Sequence, residues 1–469
     1  MNTYLPAEGG TSSRGFFGQP RALAYLAFTE AWERFSYYGM TALLVLYMTE
    51  SLLQPGHIEH IRGFAAFRGT LESVFGPLGN VALASQIYGL YTGFVYFTPV
   101  LGGWIADRWI GARNAVVLGA VLMSAGQIGM AFDATFLVAL LLLIVGCGFL
   151  KGNISTQVGT LYAPEDAVGR TRGFSIFSMG INVGATIGPL LCGLVAQLYG
   201  WHAGFALAGV LMLAGLGTYL AGYRSLADSV RRAAAPERTE GVAEPAPWRM
   251  VAALFAVMFI TIFQSVAYYQ NSNISLVWIH EHVKLNALGF HVPEAWFNSI
   301  DPLVSILAVP PLFALWRWQG AHGGEPGELG KIGTGAWIAC AANLLLVAGC
   351  LSGRQVPALV PVLYDVLLGV AFLYYWPTLL ALVSRRAPPR VRATLMGAVF
   401  LTLFLSNLII GALGTLYERL GPLAFWMLHA VIAAVGGVLA LLLGASLHGL
   451  LDAAAPRTKP AEASVTAEA

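Results

Sequence analysis

The chain has 469 residues, of which 57% are hydrophobic and 11% are charged, and its formal net charge is +2. Together with a mean hydropathy of +0.68, this composition excludes a soluble multidomain protein and predicts a polytopic membrane protein. A net charge so close to zero gives no reason to expect a nucleic-acid partner. The four cysteines lie in apolar segments without metal-ligand spacing, so we expect buried free thiols. Residues 1–20 are polar and lack the apolar core of a signal peptide, so we expect no cleavage there.

Twelve apolar segments are long enough to cross a bilayer as helices, for which about 20 residues suffice. The first six are 22–48, 80–106, 113–132, 135–156, 173–198 and 202–222. The second six are 248–278, 298–318, 332–351, 357–384, 393–416 and 421–448. We therefore predict an all-α membrane protein with an N-terminal six-helix bundle at 1–222, a cytoplasmic linker at 223–247, a C-terminal six-helix bundle at 248–452 and a disordered cytoplasmic tail at 453–469.

The orientation in the bilayer is predicted from the basic residues. They concentrate in loops that share one side with both ends of the chain, for example at Arg108, Arg113, Arg385 and Arg386. Short cytoplasmic loops carry an excess of Lys and Arg, so we expect both termini to be cytoplasmic. The segment 51–79 should be a loop on the other side, with room for one short helix.

The first apolar segment contains three charged side chains within five residues, Glu30, Glu33 and Arg34. A charge at the bilayer centre costs about 2.5–3.5 kcal/mol even on the most lenient scale, so such residues are rare and generally functional. On a helix they share one face with Tyr37, at i, i+3, i+4 and i+7. That face should line a water-filled or protein interior. The alternative is an ion cluster that only fixes the first helix in the bundle.

Motifs of enzymes and ATP-driven pumps are missing from the sequence. It contains no Gly-x-x-x-x-Gly-Lys-Ser/Thr phosphate loop, no His-Glu-x-x-His, no Cys-x-x-Cys and no Gly-x-Ser-x-Gly. We therefore expect neither an enzyme nor a bound cofactor. Work done across the membrane would then be driven by a solute or ion gradient.

Several stretches resemble those of one transporter family. The loop from Gly102 to Arg113, Gly-Gly-Trp-Ile-Ala-Asp-Arg-Trp-Ile-Gly-Ala-Arg, resembles the loop motif of the major facilitator superfamily. The stretch from Glu30 to Gly39, Glu-Ala-Trp-Glu-Arg-Phe-Ser-Tyr-Tyr-Gly, resembles the signature of that superfamily's proton-coupled oligopeptide transporters. Three further stretches resemble family segments: 174–185, 96–99 and 149–153, the last with Gly152 where proline is usual. The resemblance covers the whole chain and is stronger in its first half.

This resemblance implies a fold, a function and a set of site residues. Two six-helix bundles would rock about a central site by alternating access and carry di- or tripeptides inward with protons. The residues implied in proton coupling are Glu30, Glu33, Arg34 and Lys151. Those implied or considered for substrate contact are Tyr37, Tyr38, Tyr96, Asn182, Gln270, Asn273 and Trp376. Asp107 and Arg108 would belong to a cytoplasmic gate. The linker is too short for extra helices, so we expect twelve spans, and the chain should act as a monomer powered by a proton gradient.

Three positions lack the charge that is usual in the family. Thr41 stands in place of an Arg, Tyr269 in place of an acid and Phe372 in place of a Glu. The first two losses are consistent with each other, because the missing groups are thought to pair across the bundles and an unpaired buried charge is costly. Without an acid at 372, Lys151 should pair with Glu30 or Glu33.

Two other acids are candidates to replace the missing one. Asp301 precedes Pro302 in the eighth span, and Asp365 lies in the tenth span two turns before Phe372. We hypothesise that Asp301 or Asp365 binds the amine of the ligand. The alternative for Asp301 is a helix cap beside Pro302.

Some roles and functions stay open on the sequence alone. For the tyrosines the alternative is core packing, and for Gln270 and Asn273 it is hydrogen bonding between helices. The same fold could carry another small solute, such as a modified amino acid or an anion. A non-transporting membrane sensor is a further alternative, although a scaffold has no need of ionisable groups inside the membrane.

Overall fold

The structure is a computed structural model that describes residues 14–163, 166–233, 248–287, 289–353 and 355–453. Long helices dominate it. We number those of membrane length in chain order as α1 Arg21–Tyr47, α2 Asn80–Ile105, α3 Gly111–Gly129, α4 Phe136–Thr160, α5 Ala167–Tyr199, α6 Trp201–Ala233, α7 Trp248–Tyr269, α8 Ile300–Leu307 with Val309–Ala321, α9 Glu328–Leu351, α10 Leu359–Arg386, α11 Arg392–Gly414 and α12 Tyr417–Ala453.

Most of the predicted spans are present as long apolar helices. Among the described residues, nine helices are long and apolar enough to cross a membrane, or ten if the bent α8 counts as one span. One of these, Asn80–Gly129, contains both α2 and α3, which a π-helical turn at Ala106–Ile110 separates. The helix α1 has 27 residues and is also long enough to cross the membrane. It fails a purely apolar criterion because Glu30, Glu33 and Arg34 lie close together in it. The predicted all-α membrane fold is confirmed.

Short elements connect the spans. The predicted loop 51–79 contains the 3-10 turn Ile58–His60 and the helix Phe64–Phe75. After α7, the 3-10 turn Gln270–Ser272 leads into a short helix, Ile274–His282, so the predicted span 248–278 is broken in two. Two-residue and three-residue strands form three small pairs: Arg14–Phe16 with Gln19–Pro20, Val283–Lys284 with Val356–Pro357, and Asn286–Ala287 with Phe290–His291.

Part of the predicted linker 223–247 is helical. Helix α6 continues to Ala233, eleven residues into the segment 223–247, whereas residues 234–247 lie outside the described part of the chain. The predicted tail also lies outside it, from residue 454 onward. All four cysteines are free as predicted, and Cys147, Cys192 and Cys340 are buried, whereas Cys350 is partly exposed, which differs from the prediction.

Glycines allow close helix packing within each half of the chain. Helix α1 packs on α5 and α6, and a side chain at Gly39 would meet the Sγ atom of Cys192 at 2.5 Å. Helix α3 packs on α4, where a Cβ atom at Gly119 would lie 2.6 Å from the carbonyl oxygen of Gly146. In the second half, α9 packs on α10 and α12. Small residues at such crossings are the usual means of helix association in membranes. Lipid tails are as apolar as the helix surfaces, so association depends on close packing and not on a hydrophobic driving force.

The two halves of the chain touch near one face of the membrane. We call the side on which α1 begins the N-terminal face and the other side the opposite face. Near the opposite face, Asn273 donates a hydrogen bond to Ser85 (2.7 Å) and the Trp296 indole donates to the carbonyl oxygen of Leu190 (2.9 Å). Toward the N-terminal face, a gap of about 630 Å³ separates α5 from α8. The structure is therefore closed at the opposite face.

An ion cluster adds to this closure. His280 Nδ1 lies 2.8 Å from Glu294 Oε1, and His280 Nε2 lies 3.7 Å from Glu50 Oε2, which belongs to the first half. The hydrogen bond to Glu294 is the main reason why the pKa of His280 is raised above its ordinary value of 6.5. A protonated His280 thus links the two halves through opposite charges.

We expect a side chain at Gly89 to open the opposite face. A Cβ atom there would lie 2.6 Å from the carbonyl oxygen of Asn407 and from the Cα atom of Gly411, so α2 and α11 must separate in Gly89→Val. Overpacking of this kind costs about 1–3 kcal/mol, which shifts a two-state equilibrium roughly 5- to 150-fold. Spin labels at the exposed positions Tyr199 and Leu359 should report a longer distance. Gly103→Val, on the same helix but with open space around it, should leave that distance unchanged.

We expect closure of the opposite face to weaken as pH rises. A raised pKa means that the stabilisation by protonated His280 is complete below the ordinary value of 6.5 and is lost as pH rises through the raised one. Because His280 and Glu50 are both about 43% exposed, the effect should stay below about 1 kcal/mol. The same spin-label distance, measured between about pH 5 and 8, should lose this dependence in His280→Gln. The pH dependence of the distance should persist in His282→Gln, because the partner of His282, Glu281, lies in the same half. Equal pH profiles for the two variants would contradict the prediction.

Candidate functional site

A cavity of about 780 Å³ lies between the two halves of the chain. Its wall includes Pro99, Ser155 and Met396, which belong to the N-terminal-face halves of their helices. The cavity therefore extends toward the face at which the two halves are apart. Eight of the predicted residues line it: Glu30, Arg34, Tyr37, Tyr38, Tyr96, Lys151, Asn182 and Trp376, and Asp301 joins them from the hypothesis on the ligand amine.

Arg34 is buried between two carboxylates on its own helix. Its Nε atom lies 3.0 Å from Glu30 Oε1 and 2.5 Å from Glu33 Oε2. The spacing of one and four residues on α1 brings the three groups to one face, as the sequence predicts. Glu30 reaches the cavity surface, whereas Glu33 is fully buried behind it. One guanidinium thus balances two carboxylates, and the trio has a net charge of −1 when both are ionised.

Lys151 on α4 is the second cation, beside Arg34, that lines the cavity. Its Nζ atom lies 4.6 Å from the ring centroid of Tyr37 and 5.1 Å from that of Tyr96, within cation–π range. In the part of the chain that the structure describes, no carboxylate lies within 4 Å of it. This differs from the predicted pairing with Glu30 or Glu33, because Arg34 already occupies both carboxylates. The charge of Lys151 still acts on Glu30 from a longer distance.

Aromatic side chains of both halves form much of the wall. The rings of Tyr96 and Tyr269 lie 6.3 Å apart across the two halves. Phe372 is stacked between Tyr268 and Trp376, with centroid distances of 5.3 and 6.4 Å. Two of the three positions that lack the family's usual charge, Tyr269 and Phe372, therefore present rings to the cavity; the third is Thr41, which also lines it.

Asp301 is the acid that the second half presents to the cavity. The Tyr268 hydroxyl donates a hydrogen bond to its Oδ2 atom. Asp301 is the second residue of α8, whose N-cap is Ser299, so it does not occupy the cap position that the sequence left open for it. It faces the cavity from there, opposite the half that carries Lys151. The cavity thus has a cation on one wall and a carboxylate on the other.

Four candidate residues lie outside the cavity surface. Glu33 and Asp365 are buried behind it. Gln270 donates to the carbonyl oxygen of Ile410 (3.3 Å) and lies 3.2 Å from His429 Nε2, and Asn273 bonds to Ser85 as described above. In this conformation Gln270 and Asn273 thus join helices, which is the alternative that the sequence left open for them.

The predicted gate residues lie at the N-terminal face. Asp107 and Arg108 belong to the π-helical turn between α2 and α3, and the Arg108 guanidinium lies 4.8 Å from the Trp104 ring centroid. Within the described residues neither takes part in an ion pair. A gate made by this pair stays a prediction for a conformation in which the N-terminal face is closed.

Sequence reasoning missed several residues of the wall, although a signal for them exists. Tyr88, Thr92 and Tyr96 follow one another at intervals of four and all line the cavity, so α2 has one polar stripe in an apolar span. Asn298, Asp301, Pro302 and Ser305 form a comparable stripe at the start of α8. Other missed members are Tyr268 and Ser272.

Comparison with known proteins agrees with this fold and cavity. Residues 34–411 match the sequence model of the Major Facilitator Superfamily. The uncharacterized transporter YclF of Bacillus subtilis (strain 168) is 30% identical over 92% of this chain and 94% of its own length. A di-/tripeptide transporter of Lactococcus lactis subsp. cremoris is 28% identical, over 92% of this chain and 96% of its own.

Among solved structures, the peptide transporter POT in complex with sulfate is 28% identical and superimposes with a TM-score of 0.78, covering 93% of this chain and 96% of that chain. The match to the superfamily spans most of the chain, and the relatives share nearly its full length. The chain belongs to the major facilitator superfamily and, within it, to the family of proton-coupled oligopeptide transporters.

Proposed function

We propose that the protein is a proton-coupled symporter of di- and tripeptides that works by alternating access. It would act as a monomer in the inner membrane, with both termini in the cytoplasm and the halves 1–222 and 248–452 rocking about the cavity. The observation that carries this proposal is the cavity between the halves, with Lys151 on one wall and Asp301 on the other. Membership in the oligopeptide transporter family and the di-/tripeptide transporter among the relatives support the substrate class.

The size and lining of the cavity support a small peptide. About 780 Å³ lies within the usual range of roughly 300–1,000 Å³ for small-molecule sites. The rings of Tyr96, Tyr269, Phe372 and Trp376 offer apolar surface to side chains of varied shape. Charged groups on opposite walls would fix the two ends of a zwitterion, with Lys151 binding the carboxylate and Asp301 the amine.

Proton coupling would arise from the charge balance around Arg34. Glu30, Glu33, Arg34 and Lys151 sum to zero when all are ionised. A ligand carboxylate at Lys151 adds a negative charge and engages the cation that helps to balance Glu30. Uptake of a proton by Glu30, which reaches the cavity, restores the balance. Substrate and proton would therefore bind together. A carrier that holds only one of the two would keep an unbalanced charge and would not change conformation readily.

The direction of access follows from the conformation. The opposite face is closed, and the cavity extends toward the N-terminal face, which the basic loops assign to the cytoplasm. The conformation is thus that of a carrier open to the cell interior. Closure of the N-terminal face would bring the turn with Asp107 and Arg108 toward the second half, where the pair would act as a gate.

We expect gradient-driven peptide uptake by the purified protein. Proteoliposomes should accumulate labelled di-alanine when an inward proton gradient is imposed, and unlabelled di- and tripeptides should compete while tetrapeptides should not. Exchange without accumulation would mean that the chain carries peptides but that Thr41, Tyr269 and Phe372 have uncoupled it. Absence of both transport and binding would overturn the peptide assignment and favour another small solute.

We expect Glu33→Gln to abolish accumulation and to spare peptide exchange. With Glu33 neutral, Arg34 is balanced by Glu30 alone, so Glu30 stays ionised and no longer takes up a proton with the ligand. Accumulation under the gradient should fall by roughly tenfold or more, since about 1.4 kcal/mol suffices for that factor. Counterflow should remain within about twofold of the wild type, as it should in Ser36→Ala, a buried polar neighbour on α1. Full accumulation by Glu33→Gln would remove this residue from the mechanism.

A further inference from the structure

Two acids of the second half, Asp365 on α10 and Asp301 on the adjacent α8, lie without a cation among the described residues. Asp365 on α10 is 1% exposed, and its Oδ2 atom has no hydrogen-bond partner among the described residues. Asp301 on α8 accepts a hydrogen bond from Tyr268 at Oδ2, whereas its Oδ1 atom has no such partner there. Neither acid forms an ion pair in the described part of the chain, in contrast to Glu30 and Glu33.

The geometry directs the unpaired oxygen of Asp301 toward the helix that carries Asp365. The Oδ1 atom of Asp301 lies only 3.0 Å from the position that a Cβ atom on Gly369 would occupy. Gly369 follows Asp365 by four residues, so both lie on one face of α10, one turn apart. Because residue 369 is a glycine, no side chain fills the space beside it, and the Asp301 carboxyl group can approach this face of α10.

The charges around Asp365 favour a proton on it. In the described part of the chain, the other titratable groups that act on either acid are tyrosines: Tyr364 and Tyr375 on the same helix as Asp365, Tyr268 on α7 and Tyr38 on α1. None of them is a cation. Two ionised carboxylates at this place in an apolar span would repel each other and lack solvation, so in this conformation the pair holds at least one proton. Asp301 has the Tyr268 hydroxyl and the cavity to stabilise its charge, and Asp365 has neither.

We propose that Asp365 is a proton-carrying residue of the transport cycle and exchanges its proton with the cavity through Asp301. This inference rests on the proposed symport and deepens it, because it adds a proton site in the half where Tyr269 and Phe372 leave no acid. In the exchange, Asp301 takes up a proton from cavity water, passes it to the ionised Asp365 once a movement of the side chains brings the two carboxyl groups to hydrogen-bond distance, and becomes ionised again. The reverse sequence returns the proton to the cavity in a conformation that solvates both acids.

The same pair links proton binding to recognition of the ligand amine. With the proton on Asp365, Asp301 is ionised and presents a carboxylate to the ammonium group of a peptide. With Asp365 ionised, the single proton of the pair would stay on Asp301, and the amine would meet a neutral carboxyl group. Loading of Asp365 therefore precedes or accompanies substrate binding, as symport requires.

Infrared spectroscopy of the full chain in liposomes tests the proton on Asp365 without any peptide. At neutral pH, the difference between the wild type and Asp365→Asn should contain the C=O stretching band of a protonated carboxyl group. Asp365→Glu should keep such a band at a shifted frequency, and this variant serves where the asparagine protein fails to fold. Thr378→Val, a change at a mostly buried position of the same helix, should leave the band unchanged. Absence of the band from the difference spectrum would show that Asp365 is ionised and would overturn the proposal.

Transfer to D₂O tests the route through Asp301. The band of Asp365 should move to its deuterated frequency at a rate that falls by about tenfold or more in Asp301→Asn, the factor that about 1.4 kcal/mol in a barrier produces. An unchanged exchange rate would overturn the role of Asp301 as the path.

A transport measurement then separates this inference from the proposed function. Asp365→Asn should lose gradient-driven accumulation of di-alanine and retain exchange, and Asp301→Asn should bind free di-alanine more weakly while N-acetylated di-alanine is affected less. Full accumulation by Asp365→Asn beside a coupled wild type would overturn the inference and leave the symport intact. A wild type that neither transports nor binds peptides would instead overturn the proposed function, while the infrared result on Asp365 stands by itself.

Discussion

The buried ion pairs of Arg34 with Glu30 and Glu33 are the constraint on which the first half depends. Inside a bilayer, a charge without a partner is far more costly than in water, so the face of α1 that carries these groups has to point inward. That requirement fixes the rotation of α1 against α5 and α6, which its glycine contacts then allow at close range. Because one cation serves two carboxylates, the cluster is balanced only with the help of Lys151, and it responds to any anion that approaches that lysine.

In the second half, the acids near the cavity are not stabilised by ion pairs in the part of the chain that the structure describes. Asp301 and Asp365 have no cation within ion-pair distance in the described residues, so their charge is limited by protonation and not by pairing. The family's usual charges at the positions of Tyr269 and Phe372 are replaced by rings that line the cavity. Such a carrier has ion-paired side chains on one wall and, on the other, the acids Asp301 and Asp365, which share a proton. A zwitterionic ligand between the walls interacts with both groups.

The sequence was sufficient for the spans and for the first half of the site, and physical reasons explain where it was not. Apolar length and intramembrane charge are local properties, so α1 and the grouping of Glu30, Glu33 and Arg34 could be predicted from spacing alone. The partners of Lys151, Gln270 and Asn273 depend on helices that are distant in the chain, and spacing within one helix does not reveal them. The bond between Tyr268 and Asp301 is of the same kind. The break of α7 at Gln270–Ser272 coincides with the short polar stretch 270–273, but it has no Gly or Pro to mark it.

Alternating access needs contacts between the halves that stabilise one conformation but are weak enough to break in each cycle. The polar contacts at the closed face are of this kind. The hydrogen bonds of Asn273 to Ser85 and of Trp296 to the Leu190 carbonyl are each worth about 1 kcal/mol net. The ion pair between His280 and Glu50 is half exposed to water and contributes little more. The strong, fully buried ion pairs of Arg34 lie within a single helix. Opening of this face therefore breaks these weak polar contacts together with the packing of α2 on α11, whereas the ion pairs of Arg34 stay within α1.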